Sequence, residues 1–264
     1  MDDASRVYLV TGGSRGIGAD IARWLGKAGA TVCLLARSSR ALSAIAADVE
    51  RLGGRCHTLA ADVSNPDACA RAVHETMDRF GRIDGLVNNA GILEPLASAA
   101  DTDPDAWAYN IAVNLSGPFY LCRAAIAYLV PNNGRIVNVS SGAAVHAMAA
   151  WSAYCTAKAG LTHFTRVLAA EEPALTVVAV RPGVVDTAMQ ALIRSRAPGV
   201  MTSEKTAYFL ELKAEGRLEP PAIPARSIAW LALHAPREWS GEFLDYDDPR
   251  IKGPAESYFG ASLE

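Results

Sequence analysis

Short apolar segments alternate with helical patterns along most of the 264-residue chain. Six segments rich in β-branched residues are predicted as strands, at 6–11, 31–36, 55–60, 83–88, 134–140 and 176–181. Helical periodicity fills the intervals at 17–29, 39–52, 66–80, 105–129 and 152–172. Parallel neighbours need helical crossovers, so this order predicts an α/β fold with a doubly wound parallel sheet flanked by helices. No linker interrupts the series, and residues 1–264 are predicted to form a single domain.

Composition and charge exclude several classes of function. The net charge of -3 gives no electrostatic reason to expect nucleic acid or an anionic membrane as a partner. The acidic N-terminus lacks the pattern of a signal peptide, and no uninterrupted apolar run approaches the ~18 residues that span a bilayer. The five cysteines are scattered singly, which argues against a disulfide framework or a metal site. A cytoplasmic location is the simplest expectation.

A glycine-rich turn follows the first predicted strand and precedes the first helix. Its spacing is G-x-x-x-G-x-G, and glycines there allow a tight turn and a close approach of backbone N–H groups to a pyrophosphate. The N-terminus of the following helix adds a partial positive charge. The context favours a Rossmann-type dinucleotide site that includes Gly12, Ser14, Arg15, Gly16, Ile17 and Gly18.

The end of the second strand indicates which dinucleotide binds. An NAD-binding fold usually places a carboxylate at this point for the ribose 2′-OH, whereas this chain has Arg37. Arg15 lies in the glycine-rich turn, and two guanidiniums near one ribose suit a 2′-phosphate. NADPH/NADP+ is therefore the predicted cofactor. The alternative is that both arginines are solvated surface residues.

Further candidates lie where the third and fourth strands end. Asp62 can accept a hydrogen bond from the adenine amino group, and Val63 follows it. The segment Asn89, Ala90 and Gly91 brings the backbone close to the adenosine side. The carboxyl ends of successive parallel strands are where open α/β sheets bind ligands, so these residues are predicted to contact the cofactor.

Tyr154 and Lys158 are four residues apart in a predicted helix and share a face. A nearby ammonium lowers the pKa of a phenol, so the pair suits proton transfer. Ser141 ends the fifth strand, where its hydroxyl can bind a substrate carbonyl and the developing alkoxide. Asn114 lies inside the long predicted helix; it either opens the helix locally to hold a water or is satisfied by packing.

With these residues in place, the sequence resembles the short-chain dehydrogenase/reductase family over essentially its whole length. The resemblance implies that Tyr154 is the general acid and that Ser141 positions the carbonyl. It implies that Lys158 binds the ribose and tunes the phenol, and that Asn114 anchors a proton-relay water. It also implies a homodimer or homotetramer, and nicotinamide contacts from Pro182, Gly183, Val185 and Thr187.

Within the family, segments 168–173, 186–190, 211–218 and 240–245 are most similar to sepiapterin reductases and microbial benzil reductases. This similarity implies a small-molecule carbonyl substrate bound by Ser141 and Tyr154. Asp245 matches a residue that anchors the pterin, although it could equally be a turn residue, and the tail beyond it is longer than in pterin enzymes. Residues 188–224 are predicted to cover the substrate.

The sequence thus predicts an NADPH-dependent carbonyl reductase that acts on a ketone or vicinal diketone. Two alternatives remain open at this point. One is a non-catalytic NADPH-binding sensor or scaffold, and the other is an epimerase or dehydratase of the same family.

Overall fold

A computed structural model describes residues 6–263. Its sheet has seven parallel strands in the order β3-β2-β1-β4-β5-β6-β7. The strands are Val7–Thr11 (β1), Thr31–Ala36 (β2), Arg55–Ala60 (β3), Gly85–Asn88 (β4), Arg135–Val139 (β5), Thr176–Arg181 (β6) and Phe243–Asp245 (β7). The direction of winding reverses between β1 and β4, which places a ligand crevice at the carboxyl ends of these central strands. The predicted single-domain Rossmann-type fold is confirmed.

Ten α-helices are present in the described part of the chain. They are Gly16–Lys27 (α1), Ser39–Arg51 (α2), Pro66–Phe80 (α3), Pro104–Ile111 (α4), Gly117–Leu129 (α5), Ser152–Glu171 (α6), Ala188–Arg196 (α7), Ser203–Ala214 (α8), Ala222–His234 (α9) and Pro249–Phe259 (α10). Local sequence sets several of their ends. Ser38 and Asn65 cap α2 and α3 by accepting backbone N–H bonds, and α3 stops at Gly81 in the left-handed conformation.

Helices cover both faces of the sheet. Successive strand residues point to opposite faces, so Val10 packs under α1 and α9 while Leu9 packs under α3 and α5. Trp24 of α1 and Leu121 of α5 are almost completely buried in these two cores. Both faces of the strands are therefore apolar, which explains their continuous hydrophobic runs.

Two elements differ from the sequence prediction. Strand β7 was not predicted, since three residues carry too little pattern to identify a strand. The helix predicted over 105–129 is divided by a π-helical segment, Ala112–Ser116, between α4 and α5. Asn114 lies in this segment, so the prediction that the helix opens locally at Asn114 is confirmed.

The helical run Pro104–Asn132 is long enough to cross a membrane, with a mean hydropathy of 1.2 over its most apolar window. Its apolar side packs against the sheet, where Leu121, Cys122 and Ala125 are completely buried. A core helix of this kind has the same length and composition as a membrane span.

The segment 188–224 contains α7 and α8 and returns to the sheet edge through a parallel bridge between Val185 and Glu219. Phe209 and Leu212 of α8 are buried against Ile193 of α7 and Trp151. The segment is helical, as predicted, and lies beside the carboxyl end of the sheet.

Candidate active site

One cavity of about 1590 Å³ lies along the carboxyl ends of the strands. Its wall includes every residue that the sequence analysis proposed for cofactor or substrate, with one exception. The lining candidates are Gly12, Ser14, Arg15, Gly16, Ile17, Gly18, Arg37, Asp62, Val63, Asn89, Ala90, Gly91, Ser141, Tyr154, Lys158, Pro182, Gly183, Val185, Thr187 and Asp245. The exception is Asn114, which is buried behind this wall.

The glycine-rich turn forms a cradle that side chains would fill. Gly12 and Gly16 adopt positive φ angles of 66° and 56°, which other residues rarely adopt. A Cβ on Gly18 would lie 2.4 Å from the Gly12 carbonyl oxygen. The Arg15 side chain does not cap the N-terminus of α1, and the first turn of this helix contains no acidic residue. This open, positively polarised helix end fits a pyrophosphate.

A hydrogen-bond network joins the turn after β1 to the loop after β4. The Thr11 hydroxyl accepts bonds from the backbone N–H groups of Asn89 and Ala90, each at 3.0 Å. The Asn89 side chain donates to the Thr11 carbonyl oxygen at 3.0 Å. The two loops at the centre of the crevice are therefore held as one unit.

The end of the cavity beside β2 and β3 carries a network that contains an unpredicted residue, Tyr109. One Asp62 oxygen accepts bonds from the Ser64 backbone N–H at 2.9 Å and its hydroxyl at 2.8 Å, and the other accepts from the Tyr109 hydroxyl at 3.2 Å. Arg37 donates to the same Tyr109 hydroxyl at 3.5 Å. Burial opposes ionisation of Asp62, but these hydrogen bonds and the Arg37 charge lower its pKa.

Ser141, Tyr154 and Lys158 meet on one wall of the cavity. Ser141 follows β5, while Tyr154 and Lys158 share the inner face of α6. The Ser141 and Tyr154 side chains line the same wall, and the Ser141 hydroxyl is close enough to lower the pKa of the phenol. The Lys158 ammonium nitrogen lies 5.7 Å from the centre of the Tyr154 ring and donates to the Val139 carbonyl oxygen at 2.8 Å. The sequence prediction that these three groups converge agrees with this geometry.

Burial dominates the ionisation of both groups on α6. It raises the pKa of Tyr154 to about 12, although the nearby Ser141 hydroxyl acts in the opposite direction. It lowers the pKa of Lys158 to about 8. The expectation that Lys158 would lower the pKa of Tyr154 is therefore wrong for this structure, because burial has the largest influence on that pKa and the side chains that modify it are Ser141 and Cys155.

The structure shows both the local opening of the helix and the packed side chain of Asn114, while the water that Asn114 was expected to hold stays a prediction. Its helix is opened into the π-helical segment, and its side chain is also fully hydrogen-bonded. It donates to the carbonyl oxygen of Ile92 at 2.8 Å and to the side chain of Asn110 at 2.8 Å, and it accepts from the Ile92 N–H at 3.1 Å. Gly91 makes room for this arrangement, since a Cβ there would lie 2.8 Å from Asn114 Oδ1 and 3.6 Å from Lys158 Nζ.

The segment after β6 forms another part of the wall. Gly183 adopts a φ of 75°, and a Cβ there would lie 2.7 Å from the ring of Tyr246, a residue that was not predicted. Thr187 precedes α7 and faces Gly16, whose Cβ would approach its methyl group at 3.4 Å. The Asp245 carboxylate is ion-paired with Arg181 of the neighbouring strand, with Nη2 and Oδ2 at 2.7 Å.

Trp151 and Phe209 form an aromatic wall beside Tyr154. Trp151 meets the Tyr154 ring edge-on at 5.9 Å and stacks on Phe209 at 5.9 Å with an interplanar angle of 20°. The Trp151 indole nitrogen is buried and has no hydrogen-bond partner within residues 6–263. Neither Trp151 nor Phe209 was predicted, since their contact joins distant parts of the chain.

Comparisons with known proteins agree with this geometry. The family described as short chain dehydrogenase matches residues 6–198. An uncharacterised oxidoreductase of Saccharomyces cerevisiae is 36% identical over 250 residues, which is 93% of this chain and 97% of that protein. A benzil reductase ((S)-benzoin forming) of Bacillus cereus is 33% identical over 255 residues, which is 92% of this chain and 100% of that protein.

A crystal structure of a Saccharomyces cerevisiae short chain dehydrogenase/reductase superposes with a TM-score of 0.88 at 35% identity, over 94% of this chain and 98% of that chain. The chain belongs to the short-chain dehydrogenase/reductase family. Its members bind a nicotinamide dinucleotide and act as oxidoreductases on CH–OH and C=O groups, and this protein is an oxidoreductase of that type.

Proposed function

We propose that this protein is an NADPH-dependent carbonyl reductase that reduces a ketone or vicinal diketone, with Tyr154 as the general acid. The observation that carries the proposal is that Ser141, Tyr154 and Lys158 meet on one wall of the cavity, with the Lys158 ammonium nitrogen 5.7 Å from the centre of the Tyr154 ring. Bound NADPH would supply a hydride to the carbonyl carbon.

The residues that line the cavity fit that cofactor. The glycine cradle and the N-terminus of α1 would hold the pyrophosphate, and Asp62 lies at the adenosine end. Arg15 and Arg37 both line the cavity, and the end of β2 lacks the carboxylate that suits a ribose 2′-OH. Two guanidiniums there support a preference for the 2′-phosphate of NADPH over NADH.

The ionisation of Tyr154 and Lys158 supports reduction. With a pKa of about 12, the phenol holds its proton at neutral pH and can donate it to the oxygen of a carbonyl as that oxygen gains charge. The Ser141 hydroxyl can donate a second hydrogen bond to that oxygen. The Lys158 ammonium is the nearest cation that can stabilise the phenolate left behind.

The substrate wall favours an aromatic or bulky carbonyl compound. Trp151 and Phe209 offer flat apolar surfaces beside Tyr154, and Met148 and Met189 also line the cavity. The similarity to benzil reductases points to the same class.

A homodimer or homotetramer in the cytoplasm is part of the proposal. Phe119 on α5 and Val167 on α6 are large apolar residues with 45% and 39% of their surface exposed, on the two long helices that flank one face of the sheet. The five cysteines, all within the described residues, are free thiols, which is in keeping with a reducing compartment.

The experiment is NADPH consumption with sepiapterin, benzil, other vicinal diketones and simple ketones, for wild type and Tyr154→Phe. We expect turnover to fall by a factor of about 10²–10⁴ in the variant, with NADPH affinity nearly unchanged. Tyr258→Phe, on the distant helix α10, is the matched control. A Tyr154→Phe variant with the wild-type rate would refute the assignment of the general acid.

A further inference from the structure

The Tyr109 hydroxyl lies between two opposite charges at the end of the cavity beside β2 and β3. Arg37 follows β2, Asp62 follows β3, and Tyr109 projects from α4 on the far side of the crevice. We propose that Tyr109 is a specificity-determining residue, whose hydroxyl holds the Arg37 guanidinium in place for the 2′-phosphate and keeps it from pairing with Asp62. This inference rests on the proposed preference for NADPH.

The hydrogen-bond directions give Tyr109 the role of a spacer. Its hydroxyl donates to Asp62 Oδ2 at 3.2 Å and accepts from Arg37 Nη1 at 3.5 Å. The remaining Asp62 oxygen is occupied by Ser64. The Asp62 carboxylate is thus satisfied without a direct contact to the guanidinium, although its negative charge and the positive charge of Arg37 are close enough to influence each other.

The arrangement leaves most of Arg37 available to a ligand. A guanidinium has five N–H donors, and within residues 6–263 only one hydrogen bond from Arg37 is present, to Tyr109. A direct ion pair with Asp62 would direct two of those donors away from the cavity, since guanidinium and carboxylate pair in a bidentate manner. The single contact with a neutral hydroxyl avoids this competition.

The Tyr109 side chain is also less flexible than that of Arg37, so it can fix the position of the Arg37 guanidinium. Arg37 is an exposed, flexible side chain that loses rotamer entropy when it is fixed. Tyr109 has only two side-chain torsions and lies on α4, whose N-terminus is fixed by Pro104 and by a cap from Asp103. One hydrogen bond from this helix therefore restricts Arg37 before any cofactor binds, which favours binding.

The test measures dissociation constants for NADPH and NADH by calorimetry, without substrate, for wild type, Tyr109→Phe, Arg37→Ala and the double variant. We expect Tyr109→Phe to weaken NADPH binding about fivefold to tenfold, the effect of one hydrogen bond near a charge. NADH binding should change by less than about twofold, because it carries no 2′-phosphate.

The double variant separates positioning from direct contact. If Tyr109 acts through Arg37, then Tyr109→Phe has no further effect in the Arg37→Ala background. Equal weakening of NADPH and NADH would show that the hydroxyl acts on a part that the two cofactors share, through Asp62, and would overturn the inference, as would an unchanged NADPH constant.

The same four proteins distinguish this inference from the proposed function. If Arg37→Ala weakens NADPH selectively while Tyr109→Phe does not, the role of Tyr109 fails and the proposed cofactor preference stands. If Arg37→Ala affects both cofactors alike, the proposed preference fails, and the role of Tyr109 fails with it.

Discussion

Lys158 carries a charge in a position with only 3% of its surface exposed, and its replacement gives a quantitative test of the site. Burial lowers the pKa of the ammonium from 10.5 to about 8. At about 1.4 kcal/mol for each pH unit, this difference corresponds to a cost of about 3 kcal/mol for keeping the charge in the folded protein. Lys158→Met removes the charge and retains the apolar stem. It also removes the hydrogen bond to Val139, worth about 1 kcal/mol.

We therefore expect Lys158→Met to be inactive but more stable than wild type by about 2 kcal/mol near neutral pH. Below pH 8 the lysine is protonated in both the folded and the unfolded state, and the full cost applies. Between pH 8 and 10.5 the folded protein has lost the proton and the unfolded chain has kept it, so rising pH stabilises wild type. Above pH 10.5 the lysine is neutral in both states, and the cost of burying its charge is gone. Wild type is then the more stable protein, because it keeps the hydrogen bond from Lys158 to Val139.

The assay is urea unfolding of both proteins at one protein concentration, without cofactor, at several pH values from neutral to alkaline. Lys252→Met, at an exposed position on α10, is the control and should show no such dependence on pH. In a thermal scan near neutral pH, the gain corresponds to about 4–8 °C. A Lys158→Met variant that is less stable than wild type at neutral pH, or a difference that does not vary with pH, would refute the reasoning.

Two further substitutions test the packing of the site. Gly91→Ala places a Cβ 2.8 Å from Asn114 Oδ1, so we expect its free energy of unfolding in urea to fall by about 1–3 kcal/mol. The control is Gly253→Ala, whose Cβ meets nothing within 4 Å and which should be neutral or stabilising. Equal effects of the two substitutions would contradict this account. Trp151→Ala removes one ring of the aromatic wall, so we expect KM to rise for aromatic diketones and not for small simple ketones. A parallel rise for both classes would show that the ring does not contact the substrate.

Much of the fold follows from the sequence because its strands are buried on both faces. Strands such as Thr31–Ala36 are continuous apolar runs between helices, and this pattern does not depend on distant contacts. Strand β7 could not be recognised in the same way. Only Leu244 of its three residues is fully buried, and the strand exists because it pairs with β6, more than sixty residues earlier in the chain.

The residues of the candidate site also differ in whether the sequence could predict them. Tyr154 and Lys158 were predictable because a helix places residues four apart on one face. Tyr109 and Tyr246 were not, because no spacing marks a tyrosine that bridges two strand ends or fills the space beside a glycine. The pKa of Tyr154 was predicted in the wrong direction for a related reason, since spacing shows the nearby cation and not the depth of burial.

The two sides of the cavity are built from different parts of the chain. Changes that alter cofactor affinity can therefore be separated from changes that alter the choice of substrate. The cofactor side is built from loops after β1 and β4 that Thr11 and Asn89 bind into one unit. The substrate side depends on α8, which is held by the buried side chain of Phe209 and by an ion pair between Lys213 and Asp186 at 2.6 Å.

Both members of that ion pair are about half exposed, so the pair contributes less than about 1 kcal/mol. The position of α8 therefore depends mainly on its apolar contacts with the aromatic wall. Changes within 188–224 can reshape that wall without disturbing the glycine cradle, because the wall is formed by α8 and Trp151 and the cradle by residues 12–18. This separation explains in physical terms how one dinucleotide fold can serve many carbonyl substrates.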